Sequence, residues 1–348
     1  MSALGEYLRE EIAAGSFPGG AALVGSQDRI LETAWEGEAA VEPQRRPVGE
    51  ETLFDLASLT KPLCGGALVA AAGAALPLEA PPGFFLPEWK RTRFDGITLE
   101  RLLTHTSGLR AWEPLYAFGE GAAAYRRTLA GISPEAAPGE RVIYSDLNFL
   151  LLTEILERVL SAPLDRLFRD LVGTPAGSSA RFLPEPDAAT AATERDERFE
   201  RAMTESRGLS YSGFRTGVVW GEVHDGNAFR RGGVSAHAGL FGTARDVWTL
   251  ARVWLEPSRR ALAADRTAAL AEARGLAWQG RRGAGSAVPS MSDGAFGHTG
   301  FTGTSVWIDP GHERIAVLLT NRIHPEVREI PFNEVRQRFH ETVYRAYG

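Results

Sequence analysis

The sequence predicts an α/β protein with a second, all-α part: an antiparallel sheet flanked by helices, and a mainly helical domain inserted into the chain. Strand patterns lie near both chain ends, whereas helix patterns fill the middle. Segments that are distant along the chain must then pair in one sheet. We therefore expect residues 1–75 and 236–348 to form a discontinuous α/β domain, residues 76–235 to form the helical domain, and a catalytic cleft to lie between them.

Four strands are predicted from apolar runs that end at turn residues. Residues 19–25 and 29–35 read as two strands joined by a short polar turn, which makes a hairpin. Near the other end of the chain, residues 304–308 and 314–319 flank a turn that contains Pro and Gly. Two hairpins at opposite ends of the chain can join into a single antiparallel sheet.

Helices are predicted where apolar residues recur at helical spacing. A run rich in alanine and glycine extends from Leu56 to about Ala75, and such small residues suit a helix that is packed closely on all sides. Further helices are expected at residues 97–103 and 147–160, and an amphipathic one at about 334–344.

Composition narrows the range of partners and locations. The chain has 348 residues, a net charge of −6 and no block of basic residues, so we expect no nucleic acid and no anionic membrane surface as partner. The first eleven residues lack the pattern of a secretory signal, and no apolar run is long enough for a membrane span. With Cys64 as its one cysteine, the chain reads as a cytoplasmic protein from a reducing compartment.

Lysine is almost absent from this sequence. Of its 38 basic residues, two are lysines, Lys61 and Lys90, and the other 36 are arginines. Arginine stays protonated in proteins, whereas a buried lysine can lose its proton and act as a base. A retained lysine therefore suggests a chemical role, although chance survival of one or two lysines explains the count equally well.

Ser58 and Lys61 stand three residues apart at the start of a predicted helix, so their side chains can meet on one face. The N–H groups at such a helix start stabilise negative charge on a reacting oxygen. The alternative is that Ser58 only caps the helix, as serine often does. The four-residue pattern alone does not decide between a nucleophile and a cap.

Two further segments carry residues with possible chemical roles. Tyr144 precedes a predicted helix, where a tyrosine can serve packing or, beside a cation, act as a base. His298, Thr299 and Gly300 precede a predicted strand, and the glycine lets a ligand approach the backbone closely, unless the segment is only a glycine-rich strand edge.

Taken together and in this order, the three patterns resemble the class C β-lactamase family with its esterase and D-stereospecific peptidase relatives. That family carries Ser-x-x-Lys, then Tyr-x-Asn or a variant, then Lys-Thr-Gly or His-Thr-Gly. The resemblance extends to residues 102–109, 221–225 and 232–241 and covers nearly the whole chain. It implies a β-lactamase/transpeptidase-like fold and a serine hydrolase of the penicillin-binding-protein type.

The resemblance also implies a role for each matching residue. Ser58 is the nucleophile, Lys61 and Tyr144 remove its proton together, and the backbone N–H groups of Ser58 and Phe301 form the oxyanion hole. Substrate-binding positions are Asp146, His298, Thr299 and Gly300. No metal or organic cofactor is implied, and the family gives His105, His224 and His237 only structural or loop-ordering roles. The expected partner is a small ester or amide.

Two departures from the family pattern favour esters over β-lactams. Asp146 replaces an asparagine, so a carboxylate that only accepts hydrogen bonds stands where an amide would donate one to an amide substrate. His298 replaces a lysine, and a neutral imidazole offers little charge to a β-lactam carboxylate. Hydrolysis of β-lactams or D-alanyl peptides stays open as an alternative, and so does an inactive binding or scaffold homologue.

Overall fold

The computed structural model describes residues 2–185 and 189–348. Its main feature is a seven-stranded antiparallel sheet with the strand order β3-β2-β1-β9-β8-β7-β6, and a second sheet pairs β4 with β5. The strands are β1 (Gly19–Gly25), β2 (Ile30–Ala40), β3 (Arg46–Pro47), β4 (Phe54–Asp55), β5 (Phe241–Gly242), β6 (Gln279–Gly280), β7 (Phe296–Thr299), β8 (Ser305–Asp309) and β9 (Arg314–Thr320).

Thirteen α-helices occur in the described ranges. They are α1 (Ala3–Ala13), α2 (Ala67–Ala72), α3 (Pro82–Phe85), α4 (Leu99–Leu103), α5 (Gly121–Gly131), α6 (Asp146–Leu160), α7 (Leu164–Phe168), α8 (Thr174–Ala176), α9 (Arg198–Ser206), α10 (Gly226–Arg230), α11 (Ala244–Arg252), α12 (Pro257–Ala263) and α13 (Phe332–Tyr347). None of these described helices combines the length and the apolar character that crossing a bilayer requires.

The central strand β1 joins the two ends of the chain. It pairs with β2 on one side and with β9 on the other, and Ala22 lies opposite both Ala34 and Leu318. Because successive side chains of a strand point to opposite faces, Val24 packs with α1 and α13 while Leu23 packs with the core that includes α11. The predicted antiparallel sheet with flanking helices is confirmed.

The four predicted strands and the final helix are present with small shifts. The second strand ends at Ala40 rather than at residue 35, because Glu38 and Ala40 near its end pair with β3. The short strands β3 to β6 were not predicted, since two residues carry no alternation that a sequence pattern could reveal. Helix α4 begins at Leu99 rather than 97, because the Thr98 side chain accepts a hydrogen bond from the Arg101 N–H and caps it.

Most of the helices lie between β4 and β5 along the chain, which is the region expected to form the inserted domain. The domain boundaries at residues 75 and 236 stay a prediction from the sequence.

A buried cluster of one acid and two arginines fixes α9 against α10. Glu197 is fully buried at the start of α9 and pairs with Arg230 at 2.7 Å and with Arg215 at 2.6 Å. The Arg230 and Arg215 guanidinium groups keep the pKa of the Glu197 carboxyl below its ordinary value, although burial alone would raise it. The cluster positions α9, whose residues line part of the site described below.

We expect Glu197→Gln to lower the free energy of unfolding by about 3 kcal/mol or more, because it leaves two buried guanidinium groups without their counter-charge. Glu222→Gln is the matched control: Glu222 pairs with the same Arg215 at 3.4 Å, but its side chain is 52% exposed. An exposed pair contributes at most about 1 kcal/mol. Urea denaturation measures both variants. Equal losses of stability would show that the buried cluster does not hold α9 in place.

Candidate active site

Ser58 lies in a tight turn at the start of the predicted apolar helix. A 3₁₀ turn, Ala57–Leu59, follows β4 and continues through a π-helical segment, Lys61–Gly66, into α2. Ala57 has a φ of 47°, a left-handed conformation that costs a non-glycine residue about 1 kcal/mol. The Asp55 side chain holds this conformation by accepting the Ala57 N–H at 2.8 Å. Ser58 is left half-buried and lines two cavities.

Lys61 is fully buried and its Nζ contacts three oxygen atoms. These are Ser58 Oγ at 2.8 Å, Asp146 Oδ1 at 2.7 Å and the His237 carbonyl oxygen at 3.2 Å. The first and third contacts are hydrogen bonds that the ammonium donates, and the Asp146 carboxylate forms an ion pair with it. Burial alone would lower the pKa of Lys61, but Asp146 and Tyr144 outweigh burial and raise it above its ordinary value. In the resting protein Lys61 is therefore a cation.

Two positively charged side chains, Lys61 and Arg274, lie near the Tyr144 ring. Lys61 Nζ lies 5.0 Å and the Arg274 guanidinium carbon 5.6 Å from the centre of the Tyr144 ring. The His105 ring packs against the phenol at 4.5 Å, and His105 Nδ1 accepts the Ser145 N–H at 3.0 Å, which fixes the loop before α6. Positive charge near a phenol stabilises the negative charge that develops when its oxygen gives up a proton.

His298 is buried on β7 and carries no charge. Its Nδ1 lies 2.9 Å from the Thr299 carbonyl oxygen, which can only accept, so this nitrogen carries the ring proton. Burial lowers the pKa of His298 well below its usual value, and the cations Lys61 and Arg274 lower it further. The neutral state expected from the sequence therefore has a structural cause.

The turn between β7 and β8 lies against the Ser58 turn. The Thr302 hydroxyl donates to the Asp55 carbonyl oxygen at 2.7 Å, and the Thr304 hydroxyl to the Leu56 carbonyl oxygen at 3.0 Å. A Cβ at Gly300 would lie 2.7 Å from the Leu56 carbonyl oxygen, so only glycine allows this approach. Among the described residues, neither the Ser58 N–H nor the Phe301 N–H donates to another group, which leaves both available for a substrate oxygen.

Two cavities meet at Ser58, Tyr144 and Phe301. The larger, about 420 Å³, contains His298, Thr299 and Gly300, and we call it the arginine-lined cavity because three arginines also line it: Arg274, Arg322 and Arg336. The smaller, about 240 Å³, contains Asp146, and we call it the acidic cavity because four carboxyl groups line it: Asp55, Asp146, Glu200 and Asp225. The structure thus brings together every site residue that the sequence indicated.

The sequence did not indicate the arginines, the apolar walls or most of the acids of these cavities. Apart from Asp225, which lies in the stretch 221–225 that resembles the family, none of them lies in a recognisable motif, and 36 arginines give no reason to choose three. His105, His224 and His237, which the resemblance gave ordering roles, contact residues of the site. The His237 carbonyl oxygen accepts from Lys61, and the His237 ring pairs with Asp225 at 2.8 Å. The His224 ring stacks on Phe301.

The sequence profile of the Beta-lactamase family matches residues 4–337 of this chain. The chain belongs to the β-lactamase family. A relative from Salmonella paratyphi B, named "Putative D-alanyl-D-alanine carboxypeptidase", is 31% identical over 275 residues. That match covers 71% of this chain and 62% of the relative, so the chain spans less than two thirds of the relative's length.

Solved structures of β-lactamase-type proteins share this fold. A penicillin-binding protein homologue from Caulobacter crescentus is similar with a TM-score of 0.75 and 19% identity, over 99% of this chain and 96% of that one. EstCE1, described as a hydrolase with promiscuous acyltransferase activity, is similar with a TM-score of 0.73 and 20% identity, over 96% and 97% of the two chains. The expected β-lactamase/transpeptidase-like fold is confirmed.

We expect Lys61→Arg to lower the acylation rate nearly as much as Lys61→Ala, by roughly 10²- to 10⁴-fold. The pocket around Lys61 Nζ places three acceptors within 3.2 Å, and a planar guanidinium is too wide to meet all three in the fully buried space. Stopped-flow acylation by a chromogenic ester compares the two variants. Retention of more than about a tenth of the wild-type rate in Lys61→Arg would show that any cation suffices here.

Proposed function

We propose that this β-lactamase-family serine hydrolase forms an acyl-enzyme on Ser58 and acts best on esters. The observation that carries the proposal is the chain of contacts from Asp146 through the Lys61 ammonium to Ser58 Oγ, with Tyr144 beside it. A serine that only caps a helix needs no buried cation at 2.8 Å from its hydroxyl.

Tyr144 is the proposed proton acceptor in acylation. The Lys61 ammonium donates to Ser58 Oγ and to the His237 carbonyl oxygen and pairs with Asp146, so it acts by holding Ser58 Oγ and by stabilising charge on Tyr144. With Tyr144 reacting in its phenolate form, the Ser58 proton passes to the Tyr144 oxygen as Ser58 Oγ attacks the carbonyl carbon, and the carbonyl oxygen accepts hydrogen bonds from the N–H groups of Ser58 and Phe301. Tyr144 then returns the proton to the leaving group, and water hydrolyses the acyl-enzyme by the same path.

The preference for esters rests on two side chains that cannot assist an amide or a β-lactam in the family's usual way. The Asp146 carboxylate is engaged by Lys61 and has no N–H to donate to a substrate amide. The neutral His298 ring adds no positive charge for a carboxylate. The fold neighbour EstCE1, a hydrolase with promiscuous acyltransferase activity, supports acyl transfer on this scaffold.

A second candidate function is the removal of a leaving group that bears a carboxylate, as in D-alanyl peptides. The observation in its favour is the arginine-lined cavity, which Ser58, Arg274 and Arg322 all line. Guanidinium groups bind carboxylates through paired hydrogen bonds, so they can replace the charge that His298 lacks. The name of the Salmonella relative, "Putative D-alanyl-D-alanine carboxypeptidase", also favours this candidate.

A fluorophosphonate probe tests the nucleophile. We expect the wild-type protein to gain one probe mass on the peptide that contains Ser58, and Ser58→Ala to gain none, because the attacking oxygen is removed. Ser258→Ala, which changes an exposed serine, is the matched control and should label as the wild type does. Intact-protein and peptide mass spectrometry read the result. Labelling of Ser58→Ala at another serine, or no labelling of the wild type, would overturn the proposed function.

A substrate panel separates the two functions. We expect a phenyl ester to give a kcat/KM at least about 10²-fold above that of a chromogenic cephalosporin, because neither Asp146 nor His298 assists the lactam. An ester whose leaving group is 4-hydroxybenzoate, compared with the phenol ester, reports on the arginines. A preference for 4-hydroxybenzoate of more than about 10-fold would favour the second candidate, and faster turnover of the cephalosporin would contradict the ester preference.

A further inference from the structure

The two N–H groups assigned to the oxyanion hole belong to turns from different parts of the chain. Ser58 follows β4, whereas Phe301 lies between β7 and β8. Two donors stabilise an oxyanion only if both point at the same substrate atom, about 2.7–3.1 Å away from it. A feature of the structure must therefore fix these two turns relative to each other.

Asp55, the last residue of β4, contacts both turns. On one side, its Oδ1 accepts the Ala57 N–H at 2.8 Å, which holds the left-handed residue directly before Ser58. On the other side, its carbonyl oxygen accepts the hydroxyl of Thr302, the residue directly after Phe301, at 2.7 Å. One residue thus contacts the chain neighbours of both N–H donors.

The second carboxyl oxygen of Asp55 reaches Phe301 through His224. Asp55 Oδ2 accepts the His224 N–H at 2.7 Å, and the His224 ring stacks on the Phe301 ring with the ring centres 5.6 Å apart. The far edge of the His224 ring lies against Glu194, with Nε2 at 2.9 Å from its Oε2. Asp55 and His224 are both buried, so little water competes for these contacts.

We propose that Asp55 is the positioning residue of the oxyanion hole, because its side chain and its carbonyl oxygen set the directions of the Ser58 and Phe301 N–H groups. The proposal rests on the proposed function, in which both groups bind the substrate carbonyl oxygen. Each Asp55 carboxyl oxygen already accepts an N–H, so the residue acts through its neighbours rather than on the substrate. Burial raises the pKa of Asp55, and the N–H groups of His224 and Ala57 limit that rise.

Two substrates that differ in one atom report on the oxyanion hole: phenyl propanoate, and its thiono analogue with sulfur in place of the carbonyl oxygen. N–H groups placed for an oxygen anion stabilise the larger sulfur anion poorly. We expect the wild-type protein to prefer the oxygen ester by at least about 100-fold in kcat/KM, after division by the ratio of the two hydroxide rates. Phenol release measures both reactions. The folded fraction of the enzyme cancels from this preference, because both substrates meet the same sample.

Asp55→Asn tests the carboxyl group. Asparagine offers one acceptor oxygen where aspartate offers two, so the N–H of Ala57 or of His224 must face an amide NH₂ group. We expect the preference for the oxygen ester to fall at least about 10-fold, since loss of one oxyanion-hole donor costs roughly 10²- to 10³-fold in rate. Asp28→Asn, the same change at an exposed position, should keep the wild-type preference. A role of Asp55 in stability alone would lower both rates equally and leave the preference unchanged.

Thr302→Val tests the contact with the Asp55 carbonyl oxygen separately, and it decides the matter if Asp55→Asn does not fold. We expect the preference to fall, because valine keeps the branched shape of threonine without the hydroxyl. Thr302→Ser keeps the hydroxyl and should retain the wild-type preference. An unchanged preference in either folded variant, Asp55→Asn or Thr302→Val, would overturn the proposal, as would a wild-type preference near one. Wild-type protein that turns over neither ester would overturn the proposed function, and this proposal with it.

Discussion

The buried Lys61 ammonium is the interaction on which the arrangement of the site depends. A charge without solvent is stable only where several acceptors surround it, and here they come from three separate parts of the chain: Ser58 in its own helical segment, Asp146 at the start of α6, and the His237 carbonyl oxygen before β5. Helical and sheet-bearing segments must therefore meet around this one cation. The same contacts hold the Ser58 hydroxyl in place for attack.

The two cavities that meet at Ser58 differ in the charge of the side chains that line them. On one side, arginines line the cavity that contains His298, and burial, with Lys61 and Arg274, holds the pKa of His298 low enough to keep the ring neutral. On the other side, four carboxyl groups line the cavity that contains Glu200, and its described lining includes neither lysine nor arginine. Ser58 and Tyr144 lie where the two cavities meet.

Backbone geometry contributes as much to the site as side-chain charge does. The left-handed Ala57 and the close approach at Gly300 together bring the turn after β7 against the turn that carries Ser58. This contact leaves the N–H groups of Ser58 and Phe301 without an acceptor among the described residues. The strain at Ala57 is offset locally by Asp55, which also accepts the His224 N–H and so links the Ser58 turn to the border of the acidic cavity.

The sequence alone indicated the family and the outline of the fold. Apolar alternation and turn residues fixed the hairpin strands and the final helix, because those signals are local, and three short motifs indicated the family through Ser58, Lys61 and Tyr144. Only the tertiary structure decided that Lys61 is a cation, that Asp146 engages it, and which of the 36 arginines and 44 acids border the nucleophile. Charge state and cavity shape depend on burial and on neighbours far apart along the chain, so no local pattern records them.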